Sequence, residues 1–317
     1  MNKKWLAAGM LGATLLIGET IARFGWGLGD PPLSVAHPTI EYMFKPDQNV
    51  KRLGNHIIVN HYGMRSENFP AKKSTNERRV MIFGDSVVNG GNLTDHSDLA
   101  SSILKSKLTE ILGKVCVGNI SAGRWGPGNW LAYAKEYGFF DADIIILVIS
   151  SHDAYDNPTF APLDPNVFPQ RKPISALWEG LTRYLPQYIP KVLLQTDSPA
   201  KFGDAGPVDD VAEIAKGIHD LKNFLRLAQG QTQHVLVVQY PEQSELASGS
   251  FKTGYAEIKQ AVQDMGIVVI SMAPPFIEQI HRGQQPYRDN IHPNNLGQKI
   301  IAETLYEALV LHSVLDR

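Results

Sequence analysis

The chain has 317 residues, 43% of them hydrophobic and 20% charged, which allows a sizeable core and excludes wholesale disorder. A formal net charge of −2 argues against a nucleic-acid binder, which carries a basic excess. The single cysteine, Cys116, excludes an intrachain disulfide and a cysteine-rich zinc site, and within the apolar run VCV it reads as a buried structural thiol.

Asn2-Lys3-Lys4 followed by nearly continuous apolar sequence from Trp5 to Gly18 matches the first two regions of an export signal. Glu19 and Arg23 interrupt the run before it reaches the ~20 apolar residues of an ideal membrane span. No small-x-small cleavage site follows. Residues 1–30 therefore read as an uncleaved signal anchor, with a cleaved signal peptide as the alternative. Lys3 and Lys4 would stay on the inner side and the bulk of the chain would be exported, to the periplasmic side of an inner membrane.

Residues 24–36, rich in Gly and Pro, read as a linker. From Pro38 to about Arg65 the pattern is strand-like, and NHIIVNHYGMRS has a β-branched centre closed by Gly63. Residues 31–78 are thus expected to form a small β-rich extension before a main domain at 79–317. In that domain a strand at Val80-Met81-Ile82-Phe83 precedes a helix over about 97–112, with Leu99, Ile103, Leu108 and Ile111 as inward positions. KVCVGNI is a second strand, GNWLAYAKEYG a short helix, and DIIILVIS, HVLVVQYP and GIVVISM three further strands. Helices are expected over about 210–228 and 254–265. A last amphipathic helix is expected in PNNLGQKIIAETLYEALVL, with Pro293 in its first turn. Continuous apolar strands alternating with helices predict a parallel sheet covered on both faces, a three-layer α/β/α sandwich. The segment 154–210 breaks the rhythm with nine of the chain's 20 prolines. As an insertion after the third strand it would lie over the carboxyl ends of the strands, as a lid, a substrate wall or a packed excursion.

Those carboxyl ends bring four polar clusters to one edge. Ser86 follows the first strand in IFGDSVVNG, Gly123 follows the second, Ser150-Ser151-His152-Asp153 the third, and RDNIHPNN precedes the last helix. A serine hydroxyl needs a base to become a nucleophile. His292 is the candidate base, and Asp289, three residues earlier in a tight turn, can hold one imidazole nitrogen while the other faces Ser86. The backbone N–H groups of Ser86 and Gly123 are candidate oxyanion donors. Gly84 reads as the residue that permits the tight exit from the strand.

This pattern resembles the SGNH hydrolase superfamily, the GDSL esterases and lipases. FGDSVVNG is similar to its first block, NISAG to its second and DNIHP to its last. The resemblance covers about three quarters of the chain. It implies a flavodoxin-like sheet, a serine esterase with Ser86, Asp289 and His292 as triad, and no cofactor or metal. The third block departs from the pattern: His152 stands where the family has an oxyanion-binding asparagine, and an imidazole N–H can donate in its place. Asn129 is a further amide that could approach the site. Trp125 and Trp130 read as packing residues or as platforms for a sugar or acyl chain. The resemblance implies an acyl ester as substrate, with an acetyl group on an exported polysaccharide favoured. O-acyl transfer by the same triad, or non-catalytic carbohydrate binding, are the alternatives.

Overall fold

The computed structural model describes residues 3–185 and 211–311. It opens on helix α1 (Lys3–Thr20), continued as a wider helical turn over Ile21–Gly25. Lys3–Gly25 is long and apolar enough to cross a membrane, with a mean hydropathy of 1.5 over its most apolar stretch. A signal sequence would have the same length and composition. Along α1 itself no residue is buried.

Its far end, by contrast, is built into the protein. Ala22 packs with Leu28 and Ala176, and Arg23 forms an ion pair with Glu19. The Gly- and Pro-rich stretch expected as a linker is packed rather than free. Leu28 and Leu33 are buried, and a side chain added at Gly27, where φ is +67°, would collide with the carbonyl of Lys51.

Two antiparallel hairpins follow: β1 (Ser34–His37) with β2 (Glu41–Phe44), and β3 (Gln48–Arg52) with β4 (Asn55–Val59). The first hairpin joins the main core, and Val50, Ile57 and Val59 of the second are also buried. Ile40, Tyr42, Met43 and Met64 pack in one cluster with Phe83, Ile120 and Trp125.

The central sheet has five parallel strands in the order β6-β5-β7-β8-β9. They are β5 (Arg78–Gly84), β6 (Val115–Ser121), β7 (Ile144–Ser150), β8 (Val235–Tyr240) and β9 (Val268–Ser271). Successive residues point to opposite faces, which is why these strands read as continuous apolar runs. Met81, Phe83, Ile145, Leu147 and Val237 bury one face against α4 (Pro127–Tyr137), α6 (Val211–Gln231) and α8 (Thr253–Gln263). Val80, Ile82, Ile144, Ile146 and Val238 bury the other against α3 (Ala100–Leu112), α9 (Ala273–His281) and α10 (Asn295–Leu311). The fold is the expected α/β/α sandwich.

Several local expectations change. Helix α3 starts after a 3₁₀ turn at His96–Asp98, so its inward line runs Ala100-Leu104-Leu108, while Ile103 is half-buried and Ile111 faces solvent. Helix α10 begins after Pro293, which instead pairs with Tyr287. The helix start is capped by Asn294, whose Oδ1 accepts from the N–H of Leu296 and Gly297. Cys116 is half-buried, and burial pushes its thiol up to about 11.

The proline-rich insertion divides. Tyr155 to Phe168 walls a cleft. Helix α5 (Ala176–Glu179), continued over Gly180–Tyr184, packs instead on the end of the N-terminal helix. Residues 186–210 lie outside the described residues.

Candidate active site

Ser86 is the first residue of a one-turn helix, α2 (Ser86–Asn89), directly beyond β5. Asp85 caps it by accepting from the N–H of Val87 at 2.9 Å, and Gly90 ends it in the left-handed region at φ 73°. The turn's free carbonyls are met by side-chain amides: Asn119 donates to Val88 O, Gln298 to Val87 O, while Asn89 donates to Ser121 O. The turn that carries Ser86 is thereby held by β6 and α10. Gly84 is required for space rather than for an unusual dihedral. A Cβ there would stand 2.4 Å from Val88 and 3.2 Å from the carbonyl of Val148.

The loop before α10 is held with equal care. The Tyr240 hydroxyl donates to Ile291 O, the Tyr287 hydroxyl to Pro241 O, and the Arg288 guanidinium to Gly90 O. This loop carries Asp289 and His292. His292 Nε2 lies 3.0 Å from Ser86 Oγ. His292 Nδ1 lies 2.8 Å from Asp289 Oδ2. Asp289 Oδ1 accepts from the backbone N–H of Ile291 at 2.9 Å and of His292 at 2.8 Å. Burial opposes ionisation of Asp289, but these four N–H···O contacts outweigh it and hold the carboxyl well below the ordinary carboxylate range. A carboxylate so placed favours the imidazole tautomer with its proton on Nδ1, which leaves Nε2 to accept the serine proton.

Ser86 and His292 border two chambers. The larger, about 440 Å³, runs along Glu41, Asp85, Arg124, His152, Asp156 and Lys252. The smaller, about 160 Å³, is lined by Gly123, Phe44, Phe168, Arg183 and Arg288 among others. Gly123 sits in the turn after β6, pinned by the Tyr42 hydroxyl, which donates to its carbonyl.

His152 lies in the larger chamber, as the sequence led us to expect, but its ring is occupied. Nδ1 faces Glu242 Oε1 at 3.3 Å and Nε2 faces Asp85 Oδ2 at 3.2 Å, with Asp153 Oδ1 at 3.8 Å. Burial opposes a charge on this ring, yet Asp153, Asp85 and Glu242 together raise its pKa well above the usual histidine value. With a carboxylate oxygen facing each ring nitrogen, the site favours an imidazolium at His152. Lys252 bonds Glu242 from the other side at 2.6 Å. Asp153 joins this network by charge alone: its Oδ2 accepts from the N–H of Ser150, and its Oδ1, 3.8 Å from His152 Nε2, has no hydrogen-bond partner among the described residues. Burial, then Asp85, push its carboxyl well upward. Burial likewise raises Asp156 to about 6. Asp85, His152 and Asp153 each place one ligand atom within 4.8 Å of the others, a grouping able to receive a metal ion.

Other candidates are placed elsewhere. Asn129 is fully buried and spends its amide on Gly126 N–H and Ile40 O. Trp125 and Trp130 are also buried, their indole N–H groups donating to Tyr42 O and Gly84 O, so neither offers a face to a ligand. Glu242 and Lys252 were not singled out from sequence. Their signal was only position, Glu242 following the fourth sheet strand within two residues.

Comparison with curated proteins finds no match. Among solved structures, the chain is similar to a lipolytic G-D-S-L family protein from Veillonella parvula, at 14% identity and TM-score 0.45, covering 74% of this chain and 98% of that one. It is similar to a catalytic mutant of the acetylxylan esterase Axe2 from Geobacillus stearothermophilus, at 12% identity and TM-score 0.46, covering 73% and 93%. A two-domain esterase active on acetylated mannans matches at 12% identity and TM-score 0.47 over 76% of this chain and 50% of its own length. Residues 80–305 match the family of GDSL-like lipases and acylhydrolases. With that match extending over most of the chain, from the strand before Ser86 to the helix after His292, the protein belongs to the GDSL-like lipase/acylhydrolase family.

Proposed function

We propose that the protein is a serine esterase in which Ser86 attacks an ester carbonyl, His292 takes the hydroxyl proton and Asp289 orients and stabilises the imidazolium. The observation that carries this is the line Ser86 Oγ–His292 Nε2–Asp289 Oδ2, with steps of 3.0 Å at the serine and 2.8 Å at the carboxylate. In the tetrahedral intermediate the N–H groups of Ser86 and Gly123 act as oxyanion donors. His152 assists there by charge. Asp85 Oδ2 lies 3.5 Å from Ser86 Oγ, and its negative charge opposes a developing oxyanion unless the imidazolium offsets it. The protonated His292 then returns its proton to the leaving alcohol, and water, activated by the same ring, releases the acid.

The favoured substrate is a small acyl ester, acetyl first, on an exported glycan. Glu41, Asn157, Thr159 and Asp164 along the larger chamber supply hydrogen-bonding groups suited to a sugar. A second reading, transfer of the acyl group to a hydroxyl, is favoured by the two chambers meeting at Ser86, one for each partner. The N-terminal helix acts as an uncleaved anchor that keeps the domain on the exported side.

The test is incubation of the full chain with p-nitrophenyl acetate and with an active-serine phosphonate. Turnover and covalent labelling, both lost in Ser86→Ala, are expected. Absence of both would end the esterase reading. Acetate release from an acetylated polysaccharide, against mass gain on an acceptor oligosaccharide, separates hydrolysis from transfer.

A further inference from the structure

Residues 174–185 do not line the cleft's larger chamber, and Ile174, Trp178, Leu181 and Leu185 are exposed along them. We infer that residues 174–185 form a foot that lies on the membrane surface beside the N-terminal anchor. The inference rests on the anchored reading above and extends it.

Ile174 stands just before Ser175, the extended N-cap of α5, and Trp178 and Leu181 follow three apart on one face of the helical segment. Ile174, Trp178 and Leu181 are 100%, 66% and 46% exposed. The opposite face is fixed to the protein: Ala176 is buried, and Glu179 pairs with the buried Arg52 and accepts from the N–H of Gly29. A contiguous exposed apolar row is uncommon on a surface that meets only water.

The level of this row is set by the anchor. Glu19, the first charged residue after the apolar run, accepts from Ser175 Oγ at 2.8 Å and from the N–H of Ala176 and Leu177 at 2.9 Å each. Its carboxylate thus satisfies the first turn of α5. Arg23 donates to Ile174 O at 3.2 Å. A Cβ built on Gly18 would lie 3.3 Å from Leu177, so the two segments touch where the apolar helix ends. That is the point at which a spanning helix leaves the hydrocarbon, and tryptophan is favoured at this depth. Phe24 and Trp26, both exposed, extend the apolar surface on the anchor's side. A bilayer is the one occupant continuous with both segments. Arg183, from the same helical segment, lines the smaller chamber with Ser86 and His292. The foot therefore fixes the height of that chamber above the bilayer.

The test uses the full chain with Cys116→Ser, in nanodiscs of phosphatidylethanolamine and phosphatidylglycerol. Single spin labels are placed through Leu11→Cys, Trp178→Cys, Leu181→Cys or Leu227→Cys. Phosphonate labelling of each variant reports that the domain is folded. Power saturation gives the ratio of oxygen to nickel-chelate accessibility, which rises with depth in lipid. The expected order is Leu11 highest, Trp178 and Leu181 intermediate, Leu227 lowest. Lipid exposure at Leu11 with Trp178 and Leu181 as aqueous as Leu227 overturns the foot and spares the anchor. Shielding of both positions from both reagents means that protein covers the row, and overturns the foot as well. An aqueous reading at Leu11 removes the anchor and the foot together.

Discussion

Asp289→Asn tests the site through a single hydrogen. Asp289 Oδ1 accepts two backbone N–H bonds, from Ile291 and His292, while Oδ2 lies 2.8 Å from His292 Nδ1. An asparagine keeps the two backbone bonds only with its carbonyl oxygen in the Oδ1 position. Its NH₂ then takes the Oδ2 position and donates to Nδ1. The ring is driven toward the tautomer with its proton on Nε2, the atom 3.0 Å from Ser86 Oγ, which cannot accept the serine proton, although Oδ1, 3.0 Å from Nδ1, still offers the productive tautomer an acceptor. A buried triad acid changed in this way costs about 10⁴-fold in turnover. The Asp289 side chain is 52% exposed, so water competes for Nδ1 and softens the effect. We expect a loss of about 10³-fold, roughly 4 kcal/mol of transition-state stabilisation. Asp289→Ala, which leaves Nδ1 to water and imposes no tautomer, should retain more activity than the asparagine variant. The assay is kcat/KM on p-nitrophenyl acetate, with thermal unfolding to confirm that each variant is folded. An asparagine variant within a few-fold of the parent, or faster than a folded alanine variant, would refute the tautomer argument.

Three further outcomes are expected. Gly84→Ala drives a methyl group into Val88 and should destabilise the protein by about 1–3 kcal/mol in urea unfolding; an unchanged midpoint would show that the turn yields freely. His152 has its pKa raised by folding, so its stabilisation is complete below the unfolded value of about 6.5 and is lost as pH rises through the higher folded value. Unfolding free energy should thus decline in alkali, and His152→Gln should lack that decline; equal slopes would count against a charged ring. Asp156 is raised to about 6, which makes its ionisation unfavourable in the fold, so stability falls as pH rises from about 4 to 6. Asp156→Asn should remove this slope and gain roughly 1–3 kcal/mol at neutral pH, and retention of the slope would assign it to another group.

What the sequence made legible follows from the range of the interactions. The sheet could be read because strands buried on both faces need only apolar residues in a row, as in Ile144–Ser150. Asp289 and His292 could be read because they lie within one turn, and Ser86 because its strand stops directly before it. The His152 network could not be read. Glu242 lies 90 positions away, and Asp85 looked like a turn residue beside the nucleophile. Nor did composition separate the two halves of the insertion. What divides them is Glu19, some 156 positions before Ser175, which draws α5 to the N-terminal helix. Ile111 was misjudged because the inward line, at steps of four from Ala100 through Leu104 and Leu108, runs on to Leu112, which packs on the core and leaves Ile111 facing solvent.

The third block shows why an amide-to-imidazole exchange cannot be treated as a single change. Asparagine is neutral and needs no counter-charge. The histidine here meets Asp85 from the end of β5, Asp153 from its own turn and Glu242 from beyond β8, three carboxyl groups that favour its charged form. These contacts tie three strand ends together beside Ser86. Restoring the family's residue alone, as His152→Asn, leaves three carboxylates facing one another, and breaking a buried ion pair from one side costs about 3–5 kcal/mol. Adding Glu242→Gln removes one of those carboxylates, while Lys252, only half-buried, can turn to water. The double variant should therefore unfold at higher urea than the single one. A single variant as stable as the parent, or a double variant no better than the single, would show that the carboxylates settle by protonation and that the imidazolium is not what holds them.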